Sequence, residues 1–410
     1  MQRRTLLVVL TMAAFPAWVR GQGNPLGPEF RVNTVTTGWQ YISTARPIAT
    51  DSDGNFVVVW TDGQQPTLPG TIFGQRYSVS GAPLGPEFQV SNTLTGFAPS
   101  VASEPTGNFV VVWTSDNGAT FEIFGHRYAA SGAPLGREFR VSTYTGEESP
   151  SVATDAQGNF VVAWLGSGPS GLSEISAQRF AGTGAPAGPE FRVNSFSTIE
   201  GQGLPDVAMA PGGDFVVTWQ NYNQDGSFYG VFGQRFAASG APLGPEFRVN
   251  TYTTGLQRLP SVSMDSAGNF MVVWDGSGGT GGGIYGKRYT ASGAPLAPEF
   301  RVSVGDWPSV ASDPSGNLVV AWQANEPPPN GDSDVFAQRF DSAGAPLGGL
   351  FKVNTYTTGK QGYPSVAADA SGRFVVVWGD STGQDGSESG VFGQRFGPIV
   401  PVELTRFTVQ

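Results

Sequence analysis

Side chains able to do metal or covalent chemistry are few in this chain. His126 is the single histidine of 410 residues and there is no cysteine, so imidazole and thiolate metal sites lack ligands. Ser–His nucleophilic chemistry would rest on His126 alone, and no Gly-x-Ser-x-Gly elbow, phosphate loop or dinucleotide fingerprint accompanies it. His126 stands where Gln75, Gln234 and Gln394 stand in matching phrases, which reads as a substitution within a repeat. No catalytic residue is nominated. Oxygen ligands are better represented. Asn221-Tyr-Asn223-Gln-Asp225-Gly226 places them at alternate positions before a glycine, the spacing of a calcium turn. Asp332 with Asp334, and Asp380 with Asp385, are looser versions, which makes Ca2+ the one candidate cofactor. The later bidentate Glu of an EF-hand is missing, and the same composition also serves plain loops. Trp39, Tyr41, Tyr222, Tyr229, Trp307 and Tyr363 fall in variable stretches and are the candidate ligand-binding aromatics.

These residues are embedded in a repeat. Trp60, Trp113, Trp164, Trp219, Trp274, Trp322 and Trp378 recur roughly every 50 residues, the period of a propeller blade. Each sits in the same grammar, as in Pro364-Ser-Val-Ala-Ala-Asp369, Arg373-Phe-Val-Val-Val-Trp378 and Val391-Phe-Gly-Gln-Arg-Phe396. The 58 glycines and 31 prolines punctuate turns between short apolar runs. The inner strand (Ser365-Val-Ala367) is small, as a crowded axis requires, and the second (Phe374–Trp378) is apolar on both faces, as a strand sandwiched between neighbours must be. The third carries Phe-Gly, with glycine where another backbone approaches. The outer strand alternates, Phe30 and Val32 inward against Glu29, Arg31 and Asn33 outward. Asp51, Asp155, Asp265, Asp313 and Asp369, with Glu104, precede a Gly at Asp-x-x-Gly and are expected to cap the tight turn between the first two strands. The recurring Arg76, Arg127, Arg179, Arg235, Arg288, Arg339 and Arg395 cannot converge on one ligand, and are expected to pair with the outer-strand Glu of their own unit, as in Arg76–Glu87 and Arg395–Glu29.

Leu26-Gly-Pro-Glu-Phe-Arg-Val-Asn33 is an outer-strand phrase with no unit before it, and the last unit lacks that phrase. The expected fold is therefore all-β: a seven-bladed β-propeller of four-stranded antiparallel blades, closed by the amino-terminal strand. Blades run 46–91, 99–142, 150–194, 205–250, 260–303, 308–354, and 364–396 plus 29–33, within a domain spanning 22–396. Residues 1–21 read as a signal peptide: basic Met1–Arg4, an apolar run broken by Pro16 and Arg20, and small residues before Gln22. Residues 397–410 form a short tail resembling the Pro-Val-Glu-Leu-Thr-x-Phe opening of carboxy-terminal extensions on secreted bacterial proteins.

A net charge of −10, with no basic block, argues against nucleic acid and membrane insertion. The chain is expected to be secreted, extracellular or periplasmic, and monomeric, with an extracellular protein or glycan as ligand. Its Pro-Ser-Val-Ala-x-Asp-x-x-Gly-Asn-Phe-Val-Val-Val-Trp and Phe-Gly-Gln-Arg-Phe phrases resemble the repeats of uncharacterised secreted bacterial β-propeller proteins, and its first hairpin resembles NHL-type repeats. Asp-x-x-Gly-Asn resembles the Asp-box of sialidases only superficially. Loops between the second and third strands, and between units, vary in length and emerge on one face, where binding is expected. Three functions follow: a non-catalytic binding or adhesion propeller, a lectin-like carbohydrate binder, or a polysaccharide-active hydrolase or lyase. The last needs converging carboxylates.

Overall fold

The computed structural model describes residues 25–42, 46–63, 70–92, 95–168, 171–196, 201–277, 281–325, 332–386 and 388–398. The expected leader and nearly all of the tail lie outside them. Among the described residues the chain is all-β and propeller-like, each repeat contributing an antiparallel four-stranded meander. The second repeat is typical: Gly96–Ser103, Phe109–Asp116, Phe121–Tyr128 and Phe139–Arg140, paired in that order. In the first, the inner strand is split into Trp39–Tyr41 and Ile48–Thr50, both on Phe56–Gly63. The fourth and fifth join at a single parallel bridge, Tyr229 to Leu256. The last repeat, Gln361–Ala368, Phe374–Asp380 and Gly390–Phe396, receives Phe30–Arg31 as its fourth strand, with Phe30 opposite Gly393 and Arg31 opposite Phe392. Leu26 N–H donates to Arg395 O at 2.8 Å and Val32 N–H to Val391 O at 2.7 Å. Inner strands of successive repeats lie against one another, and Gln361–Ala368 also touches Ile48–Thr50.

The second strands form the core. All seven repeat tryptophans are 0–1% exposed. Across from each of six lies a bulge in the inner strand: Gly362 faces Gly379 and Ser365 faces Val377, leaving Tyr363 and Pro364 opposite Trp378. Proline has no N–H to lose there, so a bulge is where it fits. The Asp-x-x-Gly turns are built as expected. Asp51 Oδ1 accepts from Asp53 and Asn55 N–H at 3.0 and 2.8 Å, and Gly54 has φ +85°.

Four readings of the repeat are corrected. First, Asn33 is buried, not outward: its Oδ1 accepts Val391 N–H at 2.8 Å, and Asn194, Asn250 and Asn354 do likewise for Ile175, Val231 and Val335. Second, the third-strand glycine makes room for an aromatic ring rather than for backbone; a Cβ on Gly393 would meet Phe30 Cζ at 2.8 Å. Third, the arginines reach the next repeat, not the Glu of their own. Arg179 Nη1 donates to Ala238 O at 2.8 Å, Arg235 Nη1 to Ala291 O at 2.6 Å, and Arg395 Nη1 to Val79 O at 2.8 Å. Fourth, the glutamates reach the previous repeat: Glu87 accepts Thr34 N–H at 2.8 Å, Glu246 that of Ser195 at 2.7 Å, and Glu29 that of Thr355 at 2.6 Å. The outer-strand Phe, like the arginines, reaches the next repeat. Phe88 packs on Phe109 and Tyr128 of the next repeat, and Phe30 on Phe56 and Tyr77 of the first.

Candidate functional site

At the axis the inner strands begin with x-Pro-Ser, and this triplet builds a funnel. Ala98, Ser149, Leu204, Leu259, Trp307 and Tyr363 occupy the x position with φ between 48° and 58°. For side chains of this size the left-handed region costs on the order of 1 kcal/mol or more. The bulge imposes it six times around one mouth. The following serines are interlocked: Ser100 Oγ accepts Val152 N–H, Ser151 that of Val207, Ser261 that of Val310 and Ser309 that of Val366, at 3.2–3.3 Å. In the fourth repeat Asp206 replaces the serine and receives Val262 N–H at 2.8 Å.

The first repeat breaks the pattern. Arg46 stands in the proline's place, and its guanidinium meets Asp206 with Nε–Oδ1 at 2.6 Å and Nη2–Oδ2 at 2.8 Å. A bidentate pair joining the first and fourth repeats spans the axis and floors the funnel. Asp206 also accepts from Ser151 Oγ at 2.9 Å and from its neighbour Val207 N–H at 3.0 Å. The funnel encloses about 60 Å³, and a second cavity of about 270 Å³, also lined by Arg46, continues among the inner strands. Asp206 is the sole carboxylate among the described residues lining the funnel.

The six candidate aromatics separate into groups, and all lie on strands rather than loops. Trp307 and Tyr363 line the funnel mouth edge to face, centroids 4.9 Å apart, with Tyr363 46% exposed. Tyr222 and Tyr229 pair at 5.3 Å in the fourth repeat, outside the funnel. Trp39 and Tyr41 pair with Gly63 and Thr61 in the first, and burial raises the Tyr41 phenol pKa. Sequence reading missed Arg46 and Asp206. Their signal was the departure of each from x-Pro-Ser.

The calcium candidates lie in three different repeats, and four of their five carboxylates already hold protein donors. Asp225 receives Asn250 Nδ2 at 3.2 Å. Asp334 receives Lys352 Nζ at 2.7 Å and Asn354 Nδ2 at 2.6 Å, and Asp380 receives Gln361 Nε2 at 3.1 Å. Asp385 accepts from Asn33 Nδ2 at 3.5 Å, while Asp332 directly precedes the strand Ser333–Phe340. Asn223 has φ +63°. Asn221 is fully buried, both its side-chain polar atoms unpartnered among the described residues. No group of three or more potential metal-ligating His, Cys, Asp or Glu occurs among the described residues. His126 keeps the role of the glutamines it replaces. Its Nε2 lies 3.4 Å from Gly136 O, as Gln75 Nε2 lies 3.0 Å from Gly85 O, and its Nδ1 meets Tyr128 Oη at 2.9 Å.

One buried acid stands apart. Glu147 is 0% exposed where Gln40, Gln202, Gln257 and Gln361 stand in other repeats. Burial raises its pKa from 4.5 to about 7, against hydrogen bonds from Trp164 Nε1–H and Gly168 N–H.

No family model matches the chain, and no curated protein matches it. Solved structures do. A protein of unknown function from Dyadobacter fermentans DSM 18053 superposes with TM-score 0.51 at 12% identity, over 73% of this chain and 94% of that one. Polysaccharide lyase Uly1 gives 0.51 at 10% identity, over 89% and 100%. A fungal alcohol oxidase of the AA5 family, in complex with copper, gives 0.50 at 14%, over 89% and 77%. At such identities the likeness is one of fold.

Proposed function

We propose that the chain is a secreted, seven-bladed β-propeller, closed by its amino-terminal strand, that works as a non-catalytic binding module through the axial funnel. Closure is supported by the rule joining neighbouring repeats. Arg395 reaches Val79, Glu87 caps Thr34 and Phe30 packs on Phe56, each joining the last repeat to the first as its equivalents join consecutive ones. Binding at the funnel rests on one observation: Trp307 and Tyr363 stand at its mouth on backbone held in the left-handed region. Strain of this kind is maintained only where surrounding structure over-determines it, and it preorganises the rings. A binding role is favoured over hydrolysis because glycosidic cleavage uses two carboxyl groups, whereas Asp206 is the sole carboxylate among the described residues lining the funnel and is committed to Arg46.

The test is retention of the mature chain on immobilised cell-envelope and extracellular-matrix fractions, compared with a Trp307→Ala, Tyr363→Ala double variant of unchanged melting temperature. Retention lost in the variant supports the funnel. Equal retention by both overturns it.

A further inference from the structure

We infer that the funnel takes the terminal ring of an uncharged, hydroxyl-rich ligand, a neutral oligosaccharide, and discriminates against anionic ones. This rests on the funnel being the binding site, and adds the class of ligand.

The floor supplies the first argument. Arg46 would be an obvious anion receptor, but Asp206 occupies it through two charge-assisted hydrogen bonds. Asp206 is in turn fixed by Ser151 Oγ and by the N–H groups of Val207 and Val262. A carboxylate with five donors is not displaced cheaply by a ligand carboxylate of the same chemistry. The guanidinium therefore acts as part of a neutral polar floor. Around it, Ser261 and Ser309 accept a neighbour's N–H, which leaves their own O–H to donate to a ligand hydroxyl.

The collar supplies the second. One residue before the strained position stand Phe97, Glu148, Gly203, Arg258, Asp306 and Gly362. Arg258 is bound to Asp275 at 2.9 Å, so the collar's cation is neutralised while Glu148 and Asp306 remain. Within a chain of net charge −10 this collar disfavours an approaching polyanion. Burial raises the pKa of both acids, and at Asp306 the neighbouring Asp275 adds to that rise while Arg258 opposes it.

Size and shape supply the third. About 60 Å³ is well below the several hundred of a pocket that engulfs a ligand, so one end group enters and the rest lies outside. The Trp307–Tyr363 corner, with rings at 61°, offers one aromatic face to the apolar C–H face of a sugar ring and a second wall beside it.

The experiment is isothermal titration of the full mature chain with two sets of hexaoses. The neutral set is cello-, xylo-, manno-, malto- and arabino-oligosaccharides, and the anionic set is oligogalacturonate and oligoalginate. The expected result is binding of at least one neutral member, weakened tenfold or more by Trp307→Ala and unchanged by Phe228→Ala, which alters an exposed aromatic outside the funnel. Tighter binding of an anionic member, lost on Trp307→Ala, would overturn the charge argument and leave the funnel as the site. Binding indifferent to Trp307→Ala would overturn both. If neither set binds while the chain is still retained on its fractions through Trp307, the saccharide assignment fails and the binding module stands.

Discussion

Replacing Glu147 by Gln should make the protein's stability less dependent on pH. The buried carboxyl holds its proton to about pH 7, whereas in the unfolded chain it ionises near 4.5. Between those values the unfolded state has released a proton that the folded state still binds, so folding loses free energy as pH rises. The loss begins above about 4.5, is complete a little above 7, and is constant thereafter. A difference of about 2.5 in pKa corresponds to roughly 3 kcal/mol, a large share of a typical stability. Gln carries no titrating proton and is native to this position in four other repeats. In the last, Gln361 Oε1 accepts Trp378 Nε1–H at 3.2 Å, the bond Glu147 makes with Trp164. Gly166, beside the carboxylate, has no side chain to obstruct the replacement. Urea unfolding of both proteins at intervals from pH 4 to 8.5 measures the effect. The variant should match the wild type within about 1 kcal/mol at pH 4, and exceed it by roughly 3 kcal/mol above pH 7.5. A variant-minus-wild-type difference that stays flat across this range would show that Glu147 is ionised throughout, and the reasoning from burial would be wrong.

A chain beginning at Thr34 loses the outer strand of the last repeat, including Val32 at 1% exposure, the Asn33 cap on Val391 and the Phe30 contact with Phe56. It should melt with several kcal/mol less stability, since one buried Val alone contributes about 1.5–3 kcal/mol; a melting temperature equal to that of the mature chain would dismiss closure. Between the fifth and sixth repeats the Glu–Thr clasp is replaced by exposed Leu350 and Val304. Leu350→Glu should restore the bond to the Val304 N–H and Val304→Thr should add a hydroxyl donor to it, together raising stability by up to about 1 kcal/mol, read by denaturant midpoint, with no gain expected from Val304→Thr alone. Calcium titrated into chelator-treated protein should give no heat and no shift in Tm, because Asp225, Asp334 and Asp380 already hold protein donors; a saturable heat would return the ion to those loops.

Local chemistry was legible in the residues alone, because its partners are close in the chain. Asp51 caps a turn four residues long, Phe374–Trp378 has the continuous apolar pattern of a strand covered on both sides, and the unpaired phrase at Glu29–Asn33 identifies its own missing repeat. Folding had to settle everything that depends on which repeat a side chain reaches. A tandem repeat offers each Arg the same carbonyls and carboxylates in its own unit and in the next, so periodicity cannot distinguish Arg179 meeting Glu190 from Arg179 meeting Ala238. The funnel is the extreme case. Arg46 and Asp206 are separated by 160 residues and have no counterparts in the repeat pattern. They meet because curvature around the axis brings the first and fourth inner strands face to face, a distance that no one-dimensional spacing encodes.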